Sequence, residues 1–480
     1  MRTTMPLLAL AATSFLVGCK VGPTYEPPKP NAPNVWSEPL GGGETHRSAD
    51  LAQWWTTFQD PALASLVERA LKANPDLRLA QARLREARAQ RGVAGAALGP
   101  DLQVAGSGGR ERQSANQPLL GRMLPPGTDM TSNVYQAGFD ASWELDLFGG
   151  NRRGLEAADA ALAAAGYGLA DVQVSLVAEV ARQYTAARGF QRRLAIAREN
   201  LTAQRDIVAL ARSRYQQGFT SSLEPEQAAT VLSLTESQVP ALETGLHTAL
   251  HHLDVLLGQA PGRVIQDLET AAPVPAAPAE VPLGLPADLV RRRPDIRVAE
   301  RRLAEASARV GVAKADFYPR LFLAGSFGWE SAQSGSLFTS PSSTWSLGPR
   351  FRWPIFDTGR IRANVRVQDA RREQALAAYE KAVLTGFEEV ENALVTYAKE
   401  QARNVPLRAA VASSTRALDV ARQQYASGLT SFINVLDAER TVYQAQDNLV
   451  QSDQAVAQDL IALCKALGGG WPAPGGSAKG

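Results

Sequence analysis

The sequence predicts an α+β membrane protein in which a few short, aromatic-rich strands join very long helices, the whole pattern being written twice. Three observations carry that class. Residues 135–147 alternate: Tyr135, Ala137, Phe139, Ala141, Trp143, Leu145 and Leu147 are apolar, and Gln136, Gly138, Asp140, Ser142, Glu144 and Asp146 stand between them. Such period-two alternation is a strand with one apolar and one wet face. Next, "FGGNRR" opens a proline-free stretch of about 65 residues, which as a helix is a rod of roughly 100 Å. Finally, "NPDLRLAQARLREARAQRGVAGAALGPDLQVAGS" (74–107) reappears as "RPDIRVAERRLAEASARVGVAKADFYPRLFLAGS" (293–326), so the chain is an internal duplication.

In chain order, residues 1–18 read as an export signal, with Arg2 ahead of the apolar run "PLLALAATSFLVG". "LVGC" resembles a bacterial lipobox, which implies a covalent lipid on Cys19; the alternative is an ordinary export signal with an incidental cysteine. By resemblance to sorted bacterial lipoproteins, a residue other than Asp behind it, here Lys20, implies delivery to an outer membrane. Residues 19–60 are expected as a lipidated extended segment. Residues 61–270 form repeat 1, read as helix, two strands, long helix and helix. Residues 271–286, "AAPVPAAPAEVPLGLP", are a Pro-rich connector. Residues 287–468 form repeat 2, and 469–480 a disordered tail. No later stretch reads as a transmembrane helix.

The strands of repeat 2 share the opening pattern. Leu321, Leu323, Phe327 and Trp329 have one parity, and Trp345, Leu347, Phe351, Trp353 and Ile355 alternate with Thr344, Ser346, Arg350 and Arg352. The long helices carry seven-residue stripes. One runs Leu155, Leu162, Leu169, Leu176, then shifts by four to Val180, Ala187, Leu194, Leu201, Val208 and Tyr215. The other runs Leu376, Val383, Val390, Tyr397, Asn404, Val411, Leu418 and Tyr425. Heptads mark coiled-coil packing, and a four-residue shift is a stutter.

Totals exclude other classes. With 50 basic and 48 acidic residues the net charge is +2, so no global field calls for nucleic acid. The two cysteines, Cys19 and Cys464, build neither a disulfide framework nor a metal centre. His247 and His251 have i,i+4 spacing, but a solvated helix end explains them as well as a ligand pair. "GGGETH" lacks the strand and helix that a phosphate loop needs. No catalytic constellation is present, and the chain is expected not to be an enzyme.

Four strands with a lipid-type face cannot close alone, because hydrocarbon tolerates no open sheet edge and membrane barrels begin at about eight strands. Two, three or four chains would supply eight, twelve or sixteen strands. The competing arrangement packs the sheet on its own helices.

The combination of the lipobox, "VGPTYEPP" (21–28), "WWTTFQDPALASLVERALKANPDL" (54–77), the doubled "PDLRLAQARL"/"PDIRVAERRL" and "YASGLTSFINVLDAERTVYQAQ" (425–446) resembles the TolC-like outer-membrane efflux family. The nearest branch is the lipoproteins that serve resistance-nodulation-division pumps. The resemblance implies a homotrimer with a twelve-stranded outer-membrane β-barrel, four strands per chain, continued by a long periplasmic α-helical barrel. It implies a passive exit duct for drugs or other small molecules, delivered by an inner-membrane pump through a periplasmic adaptor. The alternative is the exit duct of a type I protein-secretion or metal-ion efflux system; a lipid-tethered coiled-coil scaffold without a pore is the reading from another class. No cofactor is implied beyond the lipid on Cys19. The resemblance places a periplasmic gate at Asp437, Asn434 and Tyr425, with Asn434 standing where some relatives carry a second acid. A local Asp437–Arg440 pair at i,i+3 is the competing role for Asp437. The turns at Gly218 and Thr220 and at Gly428 and Thr430 are expected as adaptor contacts, with the glycines as C-caps and Thr220 or Ser221 and Thr430 or Ser431 as N-caps.

Overall fold

The computed structural model describes residues 20–29, 33, 35–37, 44–45, 51–114, 129–278, 281–282 and 286–472. The signal region, Cys19 and residues 473–480 lie outside them.

Repeat 1 contributes α1 (Pro61–Ala73), α2 (Pro75–Ala96), β1 (Asp101–Arg112), β2 (Thr131–Leu145), α3 (Gly150–Gln216) and α4 (Leu223–Leu256). Repeat 2 contributes α5 (Pro286–Arg292), α6 (Pro294–Ala315), β3 (Arg320–Ser331), β4 (Ser343–Arg352), α7 (Arg360–Ala426) and α8 (Phe432–Ala466). Both long helices run 67 residues. Each repeat opens with two helices where the sequence reading gave one. The break falls at Asn74-Pro75 and Arg293-Pro294, because proline cannot donate to the preceding turn and is best placed at a helix start.

The chain divides into two compact units. One comprises residues 20–28, 85–164 and 300–378 and contains the four-stranded antiparallel sheet, in the order β1-β2-β3-β4. Gly138 and Gly328 face each other across β2 and β3. A Cβ on Gly138 would lie 2.8 Å from the Phe327 carbonyl oxygen and 2.9 Å from Gly328 Cα, so only glycine permits that approach.

The other unit holds the main core, where Trp54, Trp55, Phe58, Leu63, Val67, Val177, Val180, Tyr184, Leu253, Val390, Tyr397, Leu460 and Leu463 are buried together. Burying each such aliphatic side chain contributes about 1.5–3 kcal/mol. The duplication is legible in its joints. Asn74 accepts the Leu77 N–H and donates to the Leu256 carbonyl, whereas Arg293 at the matching place donates to the Ala466 carbonyl and pairs with Asp295 and Glu389. Each helix break thereby caps the C-terminus of the last helix in its own repeat.

The heptad stripes are buried over most of their length, from Leu176 to Val208 on α3 and at Val383, Val390, Tyr397, Asn404, Leu418 and Tyr425 on α7. Tyr215 and Leu376 depart from the pattern and are exposed in the single chain. Two further features bear on the sequence expectations. Helix α3 contains an 18-residue window of mean hydropathy 1.4, long and apolar enough to cross a membrane by composition alone; 33% of it is buried in the chain. The start of the expected disordered tail is packed: the Gly469 N–H bonds the Cys464 carbonyl, the Gly470 N–H bonds that of Leu51, and Trp471 Nε1 donates to Arg292. Gly468, at φ 74°, turns the chain back into the core.

Candidate functional site

The register of the sheet sorts its side chains. Val104, Phe139, Phe327 and Trp345 form one continuous row across the four strands, flanked by Leu102–Ala141–Gly325–Leu347 and by Leu145–Leu321–Phe351. This face is uncovered: Val104 is 77% and Trp345 77% exposed, and Leu102, Phe139, Phe327, Leu347 and Phe351 are exposed with them. A water-facing sheet would forgo about 1.5–3 kcal/mol at each large side chain. Over its middle the opposite face is mostly short-chained, with rows Gln103–Asp140–Ser326–Ser346, Asp101–Ser142–Ala324–Gly348 and Ala105–Gly138–Gly328–Thr344; toward the helices it carries Glu144–Phe322–Arg350 and Arg320–Arg352. Strands β1 and β4 are both open edges. At the helix-proximal end two exposed tryptophans satisfy their indole N–H groups internally, Trp143 on the Leu98 carbonyl at 2.9 Å and Trp353 on that of Phe317 at 3.0 Å. Rings with one apolar body and one satisfied polar atom are the girdle residues of membrane interfaces.

At the base of the sheet the segment after Cys19 is strapped down. The buried Arg153 donates from Nε to the Val21 carbonyl at 3.0 Å and from Nη2 to that of Gly22 at 3.2 Å, and its Nη1 pairs with Glu156. Lys20 reaches the same Glu156 at 2.6 Å, and these two cations hold its carboxylate below the usual range against the opposing effect of burial. Gly22, at φ 93°, lies on Gly311, where a Cβ would be 2.5 Å from the neighbouring Cα.

The two helix-to-helix turns are built alike. After α3, Gly218 at φ 77° lets its N–H reach the Tyr215 carbonyl and the Phe219 N–H reach that of Arg214; after α7, Gly428 at φ 72° does the same with Tyr425 and, through Leu429, with Gln424. These paired bonds satisfy carbonyls that a helix end leaves open. Of the expected N-caps, Ser431 does stand at the start of α8, while at α4 the position falls to Ser222 instead of Thr220 or Ser221. Neither serine makes a side-chain cap bond. Thr430 instead accepts from Asn434 Nδ2 at 2.7 Å, and Ser221 Oγ lies 3.4 Å from the Leu223 N–H. Thr220 is half-buried beside Gly218.

Tyr425, Asn434 and Asp437 come to this same end but do not share one contact. Tyr425 is 8% exposed; its hydroxyl donates to Glu224 at 3.2 Å, Arg214 lies over its ring at 4.7 Å, and Phe432 packs against it. Burial, then the Glu224 charge, pushes its phenol upward. Asn434 and Asp437 are exposed, and Asp437 accepts from Arg440 at 2.8 Å. That exposed pair contributes about 0.5 kcal/mol or less. Sequence reasoning missed a second pair here. Glu439, 2% exposed, accepts from Arg422 at 2.7 Å, and burial raises its carboxyl despite the guanidinium. A charged residue on the same α8 face as Val435, Leu436 and Val442 was the available signal.

Among the described residues no group of three or more His, Cys, Asp or Glu is arranged to hold a metal ion. His247 and His251 have ring centroids 6.0 Å apart on α4, and His252 lies 3.2 Å from Glu179.

The model of the outer membrane efflux protein family matches residues 66–259 and 285–469, one copy for each repeat. The chain belongs to the outer membrane efflux protein family. It is 34% identical over 473 residues to the pyoverdine export outer membrane protein OpmQ of Pseudomonas aeruginosa, covering 97% of each chain. It is 33% identical over 475 residues to the toluene efflux pump outer membrane protein TtgI of Pseudomonas putida, covering 97% of this chain and 98% of that one. Among solved structures, the outer-membrane channel OprN superposes with a TM-score of 0.86 at 37% identity, over 94% of this chain and all of that one. The protein is the outer-membrane channel component of an efflux pump, not an enzyme, and has a periplasmic helical extension. In this trimer-forming family three chains supply twelve strands to one barrel, which removes the open edges of β1 and β4.

Proposed function

We propose that the chain is a passive, lipid-anchored exit duct for small molecules, closed at its periplasmic end by the α7–α8 turn. The observation that carries the duct is the sorted sheet: an uncovered apolar face opposite short polar side chains. Three such sheets surround a wet lumen with polar side chains that are short over the middle of the strands and longer toward the helices. Relatives named for pyoverdine and for toluene support a conduit that accepts whatever is delivered to it. A resistance-nodulation-division pump in the inner membrane and a periplasmic adaptor make that delivery, and selection of cargo lies with them. The covalent lipid sits on Cys19; the Arg153 clamp on residues 21 and 22 supports an anchor entering at the base of the sheet.

The gate is a ring of three Asp437 carboxylates, one per subunit, narrowed by Asn434 one helical turn away and braced by Tyr425 against Glu224. An acidic ring attracts cations and slows anions. The adaptor binds the turns around Gly218 and Thr220 and around Gly428 and Thr430, and draws the turn end outward. The test is single-channel recording of the purified trimer in a planar bilayer, comparing wild type with Asp437→Ala. Higher conductance with weaker cation preference is expected. Unchanged conductance and unchanged selectivity would remove Asp437 from the gate, while absence of any channel in the wild type would overturn the duct itself.

A further inference from the structure

The apolar face of β1 ends in two cations. Its outward residues run Leu102, Val104, Gly106, Gly108, Arg110 and Arg112, since each pairs with the outward set of β2, from Ala141 and Phe139 through Ala137 and Tyr135 to Asn133 and Thr131. At about 3.4 Å per residue, Arg110 stands roughly 27 Å along the strand from Leu102, a run comparable with the roughly 9–11 residues that a tilted strand needs to cross the hydrocarbon. The helices attach at the Asp101 end, so the arginines occupy the end away from the periplasm. Tyr135 lies immediately below, its ring packed over Gly108, and the Trp329–Phe338 pair caps the neighbouring strand. The guanidiniums therefore sit just beyond the upper aromatic rim on the side that meets lipid.

Both arginines are exposed, and neither makes an ion pair with a described residue. The nearby carboxylate Asp129 is lowered first by its hydrogen bonds to Thr131, whose N–H it accepts at 3.0 Å, and only last by the charges of Arg112 and Arg110. The duplication sharpens the point. By the alignment of the two repeats, the places of Arg110 and Arg112 are taken in β3 by Trp329 and Ser331, so the charge is specific to β1 and is not demanded by the fold. A guanidinium at a lipid boundary needs an anion, and its fork matches phosphate oxygens two at a time.

We propose that Arg110 and Arg112 form a binding site, repeated three times around the barrel, for the phosphate monoester of a phosphorylated glycolipid in the outer leaflet. The acyl chains of that lipid lie along Val104, Phe139 and Phe327, and its headgroup reaches the two guanidiniums. The site holds an immobile lipid collar at the outer rim, in addition to the conduit function.

The test uses the detergent-purified trimer, titrated with bis-phosphorylated lipid A and followed by native mass spectrometry. Arg110→Gln/Arg112→Gln should lower the affinity at least about tenfold, the size expected for losing charge-assisted contacts to phosphate. Arg110→Lys/Arg112→Lys, which keeps the charge but loses the bidentate fork, should bind between wild type and the double Gln variant. Enzymatically dephosphorylated lipid A should bind wild type no better than the double Gln variant, and millimolar inorganic phosphate should not displace the intact lipid. Arg350→Gln/Arg352→Gln, which removes the same charge from the opposite face, should leave binding unchanged. Bilayer conductance of the double Gln variant should match wild type, separating this site from the duct. Equal binding by the double Gln variant, equal binding of the dephosphorylated lipid, or an equal loss in the opposite-face control would each overturn the proposal.

Discussion

Single residues here act through backbone freedom, close approach and burial, and the three give different outcomes on substitution. Gly428 has φ 72° with nothing within 4 Å of an added Cβ, so Gly428→Ala meets only the left-handed backbone penalty, about 1 kcal/mol. Gly138→Ala meets the Phe327 carbonyl and Gly328 Cα, which cannot withdraw without parting β2 from β3. Thermal denaturation should show a small loss for the first, whereas heat-resistant trimer on a gel should be lost only with the second. Asp459 on α8 is the burial case: its carboxyl is pushed up from 3.8 to about 6 by burial and then by the nearby Glu400 charge. The folded state therefore binds this proton more tightly than the unfolded chain. Stability contributed by the protonated form is lost as pH rises from about 4 to 6, and the ionised carboxylate destabilises the fold above that. Asp459→Asn should melt higher than wild type at pH 7.5, with the gap vanishing below pH 3.8. A gap that persists in acid would assign the effect to packing instead.

At the scale of elements, legibility depended on how far each signal acts. The strands were readable because alternation is local and decisive: the parity of Phe139, Phe327 and Trp345 settles their shared face before any register is known. The long helices were readable from their heptads, and Gly218 and Gly428 were readable as C-caps because left-handed backbone selects glycine. The helix starts were legible at one turn only: Ser431 stands at its N-cap, but Ser222 takes the place expected for Thr220 or Ser221. Ser and Thr cluster at both turns, and which one stands at the N-cap depends on where the chain re-enters the helix, a tertiary matter. The break at Asn74 and Arg293 was written in the following prolines, but the capping of a distant helix by those side chains joins residues about 180 positions apart. The Arg422–Glu439 pair was hidden for the same reason. Tyr425, Asn434 and Asp437 were legible as neighbours of one turn, yet the partners Glu224 and Arg214 of Tyr425 come from the other repeat.

At the scale of the whole molecule the controlling fact is an incomplete wall. Four strands per chain with two open edges cannot enclose water in hydrocarbon, and three chains remove every edge. A duct therefore requires one face of the sheet to meet lipid and the other to meet the lumen. Single cysteines placed along the sheet in otherwise wild-type protein, where the native Cys464 is buried, report this directly through a membrane-impermeant thiol reagent applied to trimers in liposomes. Substitutions at Asp140, Ser326 and Ser346 should react, while those at Phe139, Phe327 and Trp345 should not. Reaction at both sets alike, or protection of the first set with labelling of the second, would contradict a lipid-facing wall around an aqueous duct.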